Sequence, residues 1–436
     1  MRAYAVIGAG FGDEGKGASV DALVHGLIGD GRRPVVIRAS SGAQAAHTVA
    51  CERDGRRVRH VFGHLGSGTL AGDGPDGGAP TWFGPRYVHH PPLFLREHAA
   101  LVACRTRPRA SGDPRGAVTL PVDVAVNQVL ERARGADRHG SCGIGFGEAV
   151  GRSERPSDRV TLGDLHGGAG DGSVLAEHIA AISARHAERR IGETGLVGEA
   201  AAFVRRAADP GLVGAWLADA LRFAAMVPAR EAGDLRRDHD AVVFEGAQGL
   251  LLDRDHAFFP HVTRSRTGLA GVAGLVPALG IEVLEAIHVT RAYATRHGAG
   301  PLPGEGLAGP TGEAIAFPDR TNVPNPYQQA LRFAPLVPSL VGGAIAHDLA
   351  RARATLAGRA RIASRLAITC LDQTGGDALV LRDGAVRAVA AGTMPAELGI
   401  ERHAAPWLAW GETRADRPDT CALGADAPGR GYADAA

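Results

Sequence analysis

Tyr4-Ala5-Val6-Ile7-Gly8-Ala9-Gly10-Phe11-Gly12-Asp13-Glu14-Gly15-Lys16-Gly17, running into a helix-like stretch from Ala18 to Leu27, is the segment that decides the fold. The apolar run reads as a buried strand, the glycines as a tight loop, and the residues beyond as a helix. A second buried-type strand, Val35-Val36-Ile37-Arg38, follows the Gly31-Arg32-Arg33-Pro34 turn, so the chain opens as a βαβ unit. Such units build parallel sheets. The expected class is α/β and P-loop-like: a mostly parallel central sheet flanked by helices, with helical and loop insertions.

The first loop fits two spacings. Gly10-x-Gly12-x-x-Gly15 matches a dinucleotide fingerprint, whereas Gly10-x4-Gly15-Lys16 matches most of a phosphate cradle. The residues between the glycines favour the second, because Asp13 and Glu14 would repel a pyrophosphate lying on bare backbone N–H groups. Lys16 offsets that charge, and it is the only lysine among 48 basic side chains. A compact ammonium suits a tight phosphate loop better than a planar guanidinium. Gly17 stands where a hydroxyl would hold a metal, so Asp13 is the expected carboxylate ligand.

Working outward, amphipathic helices are predicted at Pro92–Leu101, Val122–Arg134, Ser173–Arg189 and Val197–Ala207, and strands at Ala241–Phe244, Ile287–Thr290 and Leu366–Thr369. The stretch from Gly66 to Gly84, rich in Gly, Asp and Pro, reads as a long surface loop. Ala378–Leu381 and Val386–Val389 flank an Asp383-Gly384 hairpin turn. With no Pro/Ser linker, residues 1–436 are expected to form a single α/β body. It carries a mainly helical insertion at 92–235 and a C-terminal segment, 366–436, on the nucleotide-base side, ending in a frayed tail.

Composition narrows the function classes. The 436 residues carry a formal charge of +1 with 45% hydrophobic content, an ordinary globular balance. Without clustered cations the chain is not expected to bind nucleic acid or a membrane surface. There is no apolar run of about 18 residues to span a bilayer, and the expected location is the cytoplasm. The five cysteines are scattered without a C-x-x-C pair and read as reduced thiols.

Two further constellations carry chemistry. Ser40-Ser41-Gly42-Ala43-Gln44-Ala45-Ala46-His47-Thr48 leaves a strand at the carboxyl edge, where open α/β sheets bind ligands. Val242-Val243-Phe244-Glu245-Gly246-Ala247-Gln248-Gly249 is a second strand entering a glycine-flanked polar residue, followed by Asp253, Asp255, His256 and Thr263.

Taken in order, Gly12–Gly17, Ala46-His47-Thr48, Phe244–Gly249 with the Asp253-x-Asp255-His256 and Val262-Thr263 segments, and Tyr293-Ala294-Thr295-Arg296-x-Gly298-Ala299-Gly300-Pro301 resemble the adenylosuccinate synthetase family. The resemblance runs from residue 4 to about 305 and returns weakly at Leu366–Asp372. It implies a ligase that phosphorylates the 6-oxo group of IMP or an IMP-like nucleotide with GTP and Mg²⁺, ATP being the other candidate. The amine of aspartate, or of another donor, then displaces the phosphate.

By the same resemblance Asp13 takes the purine N1 proton and ligates Mg²⁺, together with the Ala46 carbonyl. His47 donates to the oxygen between purine and phosphorus. Gly12, Gly15, Lys16 and Gly17 hold phosphates. Gln248 and Gln44 contact the nucleotide monophosphate. Thr263 and Ser141 reach its 5′-phosphate, and Arg152, or else Arg155, reaches that of a neighbouring subunit, which implies a homodimer.

Departures fall on the partner substrates. Thr369-Cys370-Leu371-Asp372 lacks the family's base-packing lysine, although Asp372 can still read guanine, and Gln44 replaces an asparagine. In place of a loop that grips the dicarboxylate of aspartate stands Thr321-Asn322-Val323-Pro324-Asn325-Pro326-Tyr327-Gln328-Gln329-Ala330-Leu331-Arg332, with Arg332 as a remnant of the clamp. A divergent paralogue is expected. Two alternatives are an NADP-dependent oxidoreductase, with Arg38 meeting a 2′-phosphate, and a catalytically silent nucleotide-binding relative.

Overall fold

A computed structural model describes residues 1–411 except 54, 75, 138, 169–171, 256–257, 323–328, 401–405 and 410. Among the described residues one sheet of nine strands organises the chain: β1 (Arg2–Gly8), β2 (Pro34–Gly42), β3 (Thr81–His89), β4 (Ala110–Gly112), β5 (Ala117–Val118), β6 (Ala241–Gly249), β7 (Val283–Arg291), β8 (Arg361–Thr369) and β9 (Trp407–Leu408). The spatial order is β9-β8-β7-β1-β6-β2-β3-β4, with β5 also paired to β3. Every pairing is parallel. All carboxyl ends therefore share one edge, and the loops after β1, β2, β6 and β7 meet there.

Both faces of the sheet are covered, as parallel sheets require. Tyr4 and Val6 of β1 pack with Val20, Leu23 and Leu27 of helix α1 (Lys16–Gly29). Ala3, Ala5 and Ile7 point the other way, into a core shared with Val341, Ile345 and Leu349 of the helix Pro338–Leu356. The alternation is the period-2 geometry of a strand.

Between β3 and β6 the chain is mainly helical. The helices Pro91–Ala103, Pro121–Arg134, Gly172–Thr194, Gly198–Ala207 and Pro210–Met226 bury Leu101, Val126, Ile179, Val204 and Phe223 in one cluster with Phe83 and Tyr87 of β3. The short strands β4 and β5 interrupt this region and join the main sheet.

Two sequence expectations need correction. The stretch from Gly66 to Gly84 is a surface loop only around Asp73, Gly74 and Asp76, which are exposed; it also contains the 3-10 turn Ser67–Leu70, buried throughout, and the start of β3. Glycine there serves close packing, since a Cβ on Gly66 would meet Val36 at 2.6 Å. Second, the small-residue stretch after Gly42 leads at His47 into an antiparallel hairpin, His47–Arg53 with Arg56–Phe62. The C-terminal hairpin pairs Asp377–Arg382 with Ala385–Ala390. Cys51, Cys104, Cys142 and Cys370 are not in disulfides; Cys421, His256 and the tail lie outside the described residues.

Candidate active site

The loop leaving β1 is held by its own acid. Glu14, buried, accepts from the backbone N–H of Gly10 at 3.0 Å and of Gly12 at 2.7 Å. Its second oxygen lies 2.6 Å from Nζ of Lys16, which is only 2% exposed. Glu14 thus anchors the loop, a role that sequence reading missed by treating it only as a repelling charge. Lys16 lines the cleft but does so already paired. Asp13, at φ 62, takes the left-handed backbone conformation that Asp tolerates better than most residues.

His47 begins its hairpin directly against the phosphate loop. A Cβ on Gly17 would stand 2.6 Å from the Cβ of His47, so glycine is what permits the approach. The Nδ1 of His47 lies 2.6 Å from Oε1 of Glu245, midway along β6. Glu245 also accepts from the backbone N–H of Ser67 at 3.0 Å and from the Ser67 hydroxyl. Burial pushes the Glu245 carboxyl up, but His47, Arg38 and Ser67 together outweigh it and hold the group below the usual carboxylate range. With Glu245 ionised and acceptor-only, the shared proton belongs to Nδ1 of His47. The Nε2 of His47 has no hydrogen-bond partner in the structure. Burial lowers the affinity of His47 for a second proton, and Glu245 opposes that.

Asp13, His47 and Gln248 line a single cleft of about 920 Å³ at the carboxyl edge of the sheet. Gly12, Gly15, Lys16 and Gly17 line it from the first loop, and Gln44, Ala46, Ser141 and Thr263 from the others. Both amide atoms of Gln44 are buried without a partner, and Ser141 accepts a hydrogen bond from Asn127 at 2.8 Å. Burial raises the Asp13 carboxyl above its ordinary value, with the cations of Arg291 and Lys16 pulling the other way.

Arg291, at the end of β7, is the cleft residue most plainly missed. It donates to the Asp13 carbonyl, to the Tyr293 hydroxyl at 3.0 Å and to Asp319 at 3.1 Å. Its signal in sequence was position: the last residue of a central strand, two before the Tyr293 motif.

Five expected residues lie elsewhere. Arg152 is fully buried, with Nε 3.0 Å from Asp123 Oδ1, NH1 donating to the Asp158 carbonyl at 2.6 Å and NH2 to that of Val118 at 2.6 Å. A guanidinium so engaged braces the helical region and is not available to a neighbour's phosphate. Arg155 is half exposed, 3.9 Å from Glu193. Arg332 donates to Glu305 at 2.6 Å and to the carbonyls of Gly298 and Gly300 at 2.9 and 2.7 Å, bracing that glycine loop from outside the cleft. Asp372 is exposed and accepts from the Gly411 N–H at 3.1 Å. Arg38, on which the oxidoreductase alternative rested, is fully buried and donates to the carbonyls of His64 and Leu65 at 3.4 and 3.2 Å, so its guanidinium is enclosed by protein and not presented to a 2′-phosphate.

The described residues hold no group of three or more His, Cys, Asp or Glu suited to a metal. Asp13 and the Ala46 carbonyl, both lining the cleft, nevertheless fit Mg²⁺, which commonly takes one or two carboxylates and completes its shell with water and substrate phosphates.

Residues 5–317 match the family model described as adenylosuccinate synthetase. Curated adenylosuccinate synthetases are similar: that of Xanthomonas campestris pv. campestris (strain B100) is 30% identical over 311 residues, and that of Pseudomonas paraeruginosa (strain DSM 24068 / PA7) 32% over 312. Each match covers 69% of this chain and 64% of the relative, so the chain matches less than two thirds of their length. Among solved structures, a fully ligated adenylosuccinate synthetase from Plasmodium falciparum superposes with TM-score 0.59 at 15% identity, over 96% of this chain and 99% of that one. The cyanophage S-2L succinoaminodeoxyadenylate synthetase PurZ, bound to dGMP and to dATP as an energy donor, gives 0.58 at 15%, over 96% and 95%. The match over residues 5–317 places the chain in the adenylosuccinate synthetase family.

Proposed function

We propose that the protein is a carbon–nitrogen ligase that activates the 6-oxo group of IMP or an IMP-like nucleotide with a nucleoside triphosphate, then lets an amine, aspartate or another donor, displace the phosphate. The observation that carries this is the meeting of Asp13 and the Glu245-bound His47 in one cleft with Lys16. Asp13 accepts the N1 proton of the purine, which raises electron density on O6. His47, once protonated and stabilised by Glu245, donates from Nε2 to the oxygen between purine and phosphorus as charge develops there. Proton management of this kind contributes about 10²–10⁴-fold.

Lys16 and the N–H groups of the first loop hold the transferred phosphate, Glu14 fixing the ammonium in place. Gln44, Ser141 and Thr263 hold the monophosphate, and Gln248 the base. Asp13 and the Ala46 carbonyl would hold Mg²⁺, which would neutralise phosphate charge when bound. GTP is the expected triphosphate; the use of dATP as energy donor by the PurZ neighbour supports testing ATP beside it. A cytoplasmic homodimer acting on small molecules completes the proposal, and no helix among the described residues is long and apolar enough to cross a membrane. The test is phosphate release over a matrix of GTP or ATP, several 6-oxopurine monophosphates and several amines, with the product mass measured. A new C–N product supports the reading; phosphate release without one, or none at all, sinks it.

A further inference from the structure

Five successive backbone N–H groups, from Gly63 to Ser67, are all donated to side chains. Glu97 accepts three of them: those of Gly63 at 3.1 Å and His64 at 2.7 Å on one oxygen, and that of Leu65 at 3.0 Å on the other. Gly66 donates to the Thr81 hydroxyl at 2.9 Å, and Ser67 to Glu245 at 3.0 Å. The carbonyls of His64 and Leu65 are claimed as well, by Arg38. A stretch of chain between a hairpin and a 3-10 turn has no ladder of its own, so these side chains set its conformation. Glycine lets it run close to its neighbours, since a Cβ on Gly63 would stand 3.1 Å from the Ala43 carbonyl.

That stretch reaches His47 twice. Phe62, immediately before it, is paired with His47 in the hairpin, and Ser67, at its far end, holds the carboxylate that holds the His47 ring. Glu97 stands behind both contacts and does not line the cleft. It belongs to the helix Pro91–Ala103, whose Phe94 and Leu101 share one core cluster with Phe62 and Leu65, and its side chain is 9% exposed. Arg38 closes the other side. Ile37 and Phe244 are paired on β2 and β6, so Arg38 and Glu245 come next along neighbouring strands and share a face of the sheet. Bonds from backbone N–H to a carboxylate are stronger than neutral turn contacts, and three on one side chain hold the segment in a single arrangement.

We propose that Glu97 is a positioning residue for His47: from outside the cleft it fixes residues 63–67, and through Phe62 and the Ser67–Glu245 contact it sets where the histidine ring stands. This rests on the function proposed above for its kinetic readout only.

The experiment uses the full-length protein with Mg²⁺, IMP, GTP or ATP, and L-aspartate or hydroxylamine, and follows phosphate release. In Glu97→Gln, kcat is expected to fall about 10- to 100-fold, the loss that accompanies a small misplacement of a reacting group, with each KM within about threefold of wild type. In the Glu245→Gln background, where the histidine has already lost its charged holder, the same substitution should lower kcat by about threefold or less, because residues that act as a unit are not additive. The His47 Nδ1–H proton, assigned in the NMR spectrum by its loss in His47→Gln, should shift or broaden in Glu97→Gln. Glu97→Asp keeps the carboxylate and serves if Glu97→Gln does not fold, with a smaller fall and the same non-additivity expected. A fall of equal size in both backgrounds, or kcat and resonance both unchanged, overturns the assignment. No phosphate release from the wild type with either triphosphate and either amine overturns the functional reading instead, and the resonance alone then decides the positioning.

Discussion

Nδ1 of His47 stands 2.6 Å from Oε1 of Glu245, and both side chains are buried, His47 at 6% and Glu245 at 3% exposure. The carboxylate fixes both the tautomer and the ring orientation of the histidine, and Ser67 fixes the carboxylate in turn. A histidine held this way keeps Nε2 as its one unpartnered ring nitrogen, and its ability to carry a second proton depends on the charge behind it.

Glu245→Gln should therefore lower kcat by about 10²–10⁴-fold, the range spanned by acid–base contributions. Nucleotide affinity, measured by calorimetry, should stay near wild type, since Glu245 reaches the ligand only through His47.

Asp13→Ala is expected to abolish turnover to a similar degree while keeping most triphosphate binding, whereas Lys16→Ala should weaken that binding. If Asp13→Ala kept most of its activity, the base assignment would be wrong.

Gly17→Ala places a methyl 2.6 Å from the His47 side chain and 3.0 Å from its backbone. Because backbone cannot yield as a flexible side chain does, the hairpin must shift. A stability loss of about 1–3 kcal/mol, typical of overpacking, should accompany a fall in kcat. Denaturant unfolding together with steady-state rates checks both.

Arg152→Met separates bracing from binding. Removing one member of the fully buried Arg152–Asp123 pair, 2.9 Å apart, leaves an uncompensated carboxylate and should cost about 3–5 kcal/mol. The folded fraction should still bind the monophosphate with unchanged affinity, which calorimetry below the unfolding transition measures. Loss of affinity in folded protein would restore the phosphate-binding role expected from sequence.

Acid should unfold the protein through its buried histidines. Burial lowers His89 to about 3 and His186 to about 4. Both are neutral when folded and titrate near their ordinary value, about 6.5, when unfolded. Below that value the unfolded chain binds more protons, so the stability present above pH 6.5 is lost as pH falls toward the folded values. The slope is about 1.4 kcal/mol per pH unit for each histidine. Thermal midpoints across pH 4–7 should show this fall, and His89→Gln should flatten it.

The strand–loop–helix opening and the parallel sheet were legible because Tyr4–Ile7 and Val35–Ile37 are apolar runs set off by glycine-containing turns, a local signal. The cleft residues Asp13, His47 and Gln248 were legible as motifs at strand ends. The partners that position them were not. Glu245 belongs to β6 and His47 to a hairpin 198 residues away in sequence, so their pairing is a product of sheet order. Arg152 failed for the opposite reason: an arginine beside a motif looks functional, and nothing local reveals that Asp123 already claims it. Likewise the glycines of 66–84 resemble a loop until Val36 and Val24 are seen packed on them.

The most direct test of the central claim follows one oxygen atom. IMP labelled with ¹⁸O at the 6-oxo position, incubated with Mg²⁺, GTP or ATP and an amine that supports turnover, should transfer its label to the released inorganic phosphate in step with product formation. Phosphate released without the label would mean that water, and not the purine oxygen, attacks the triphosphate, and would contradict the account.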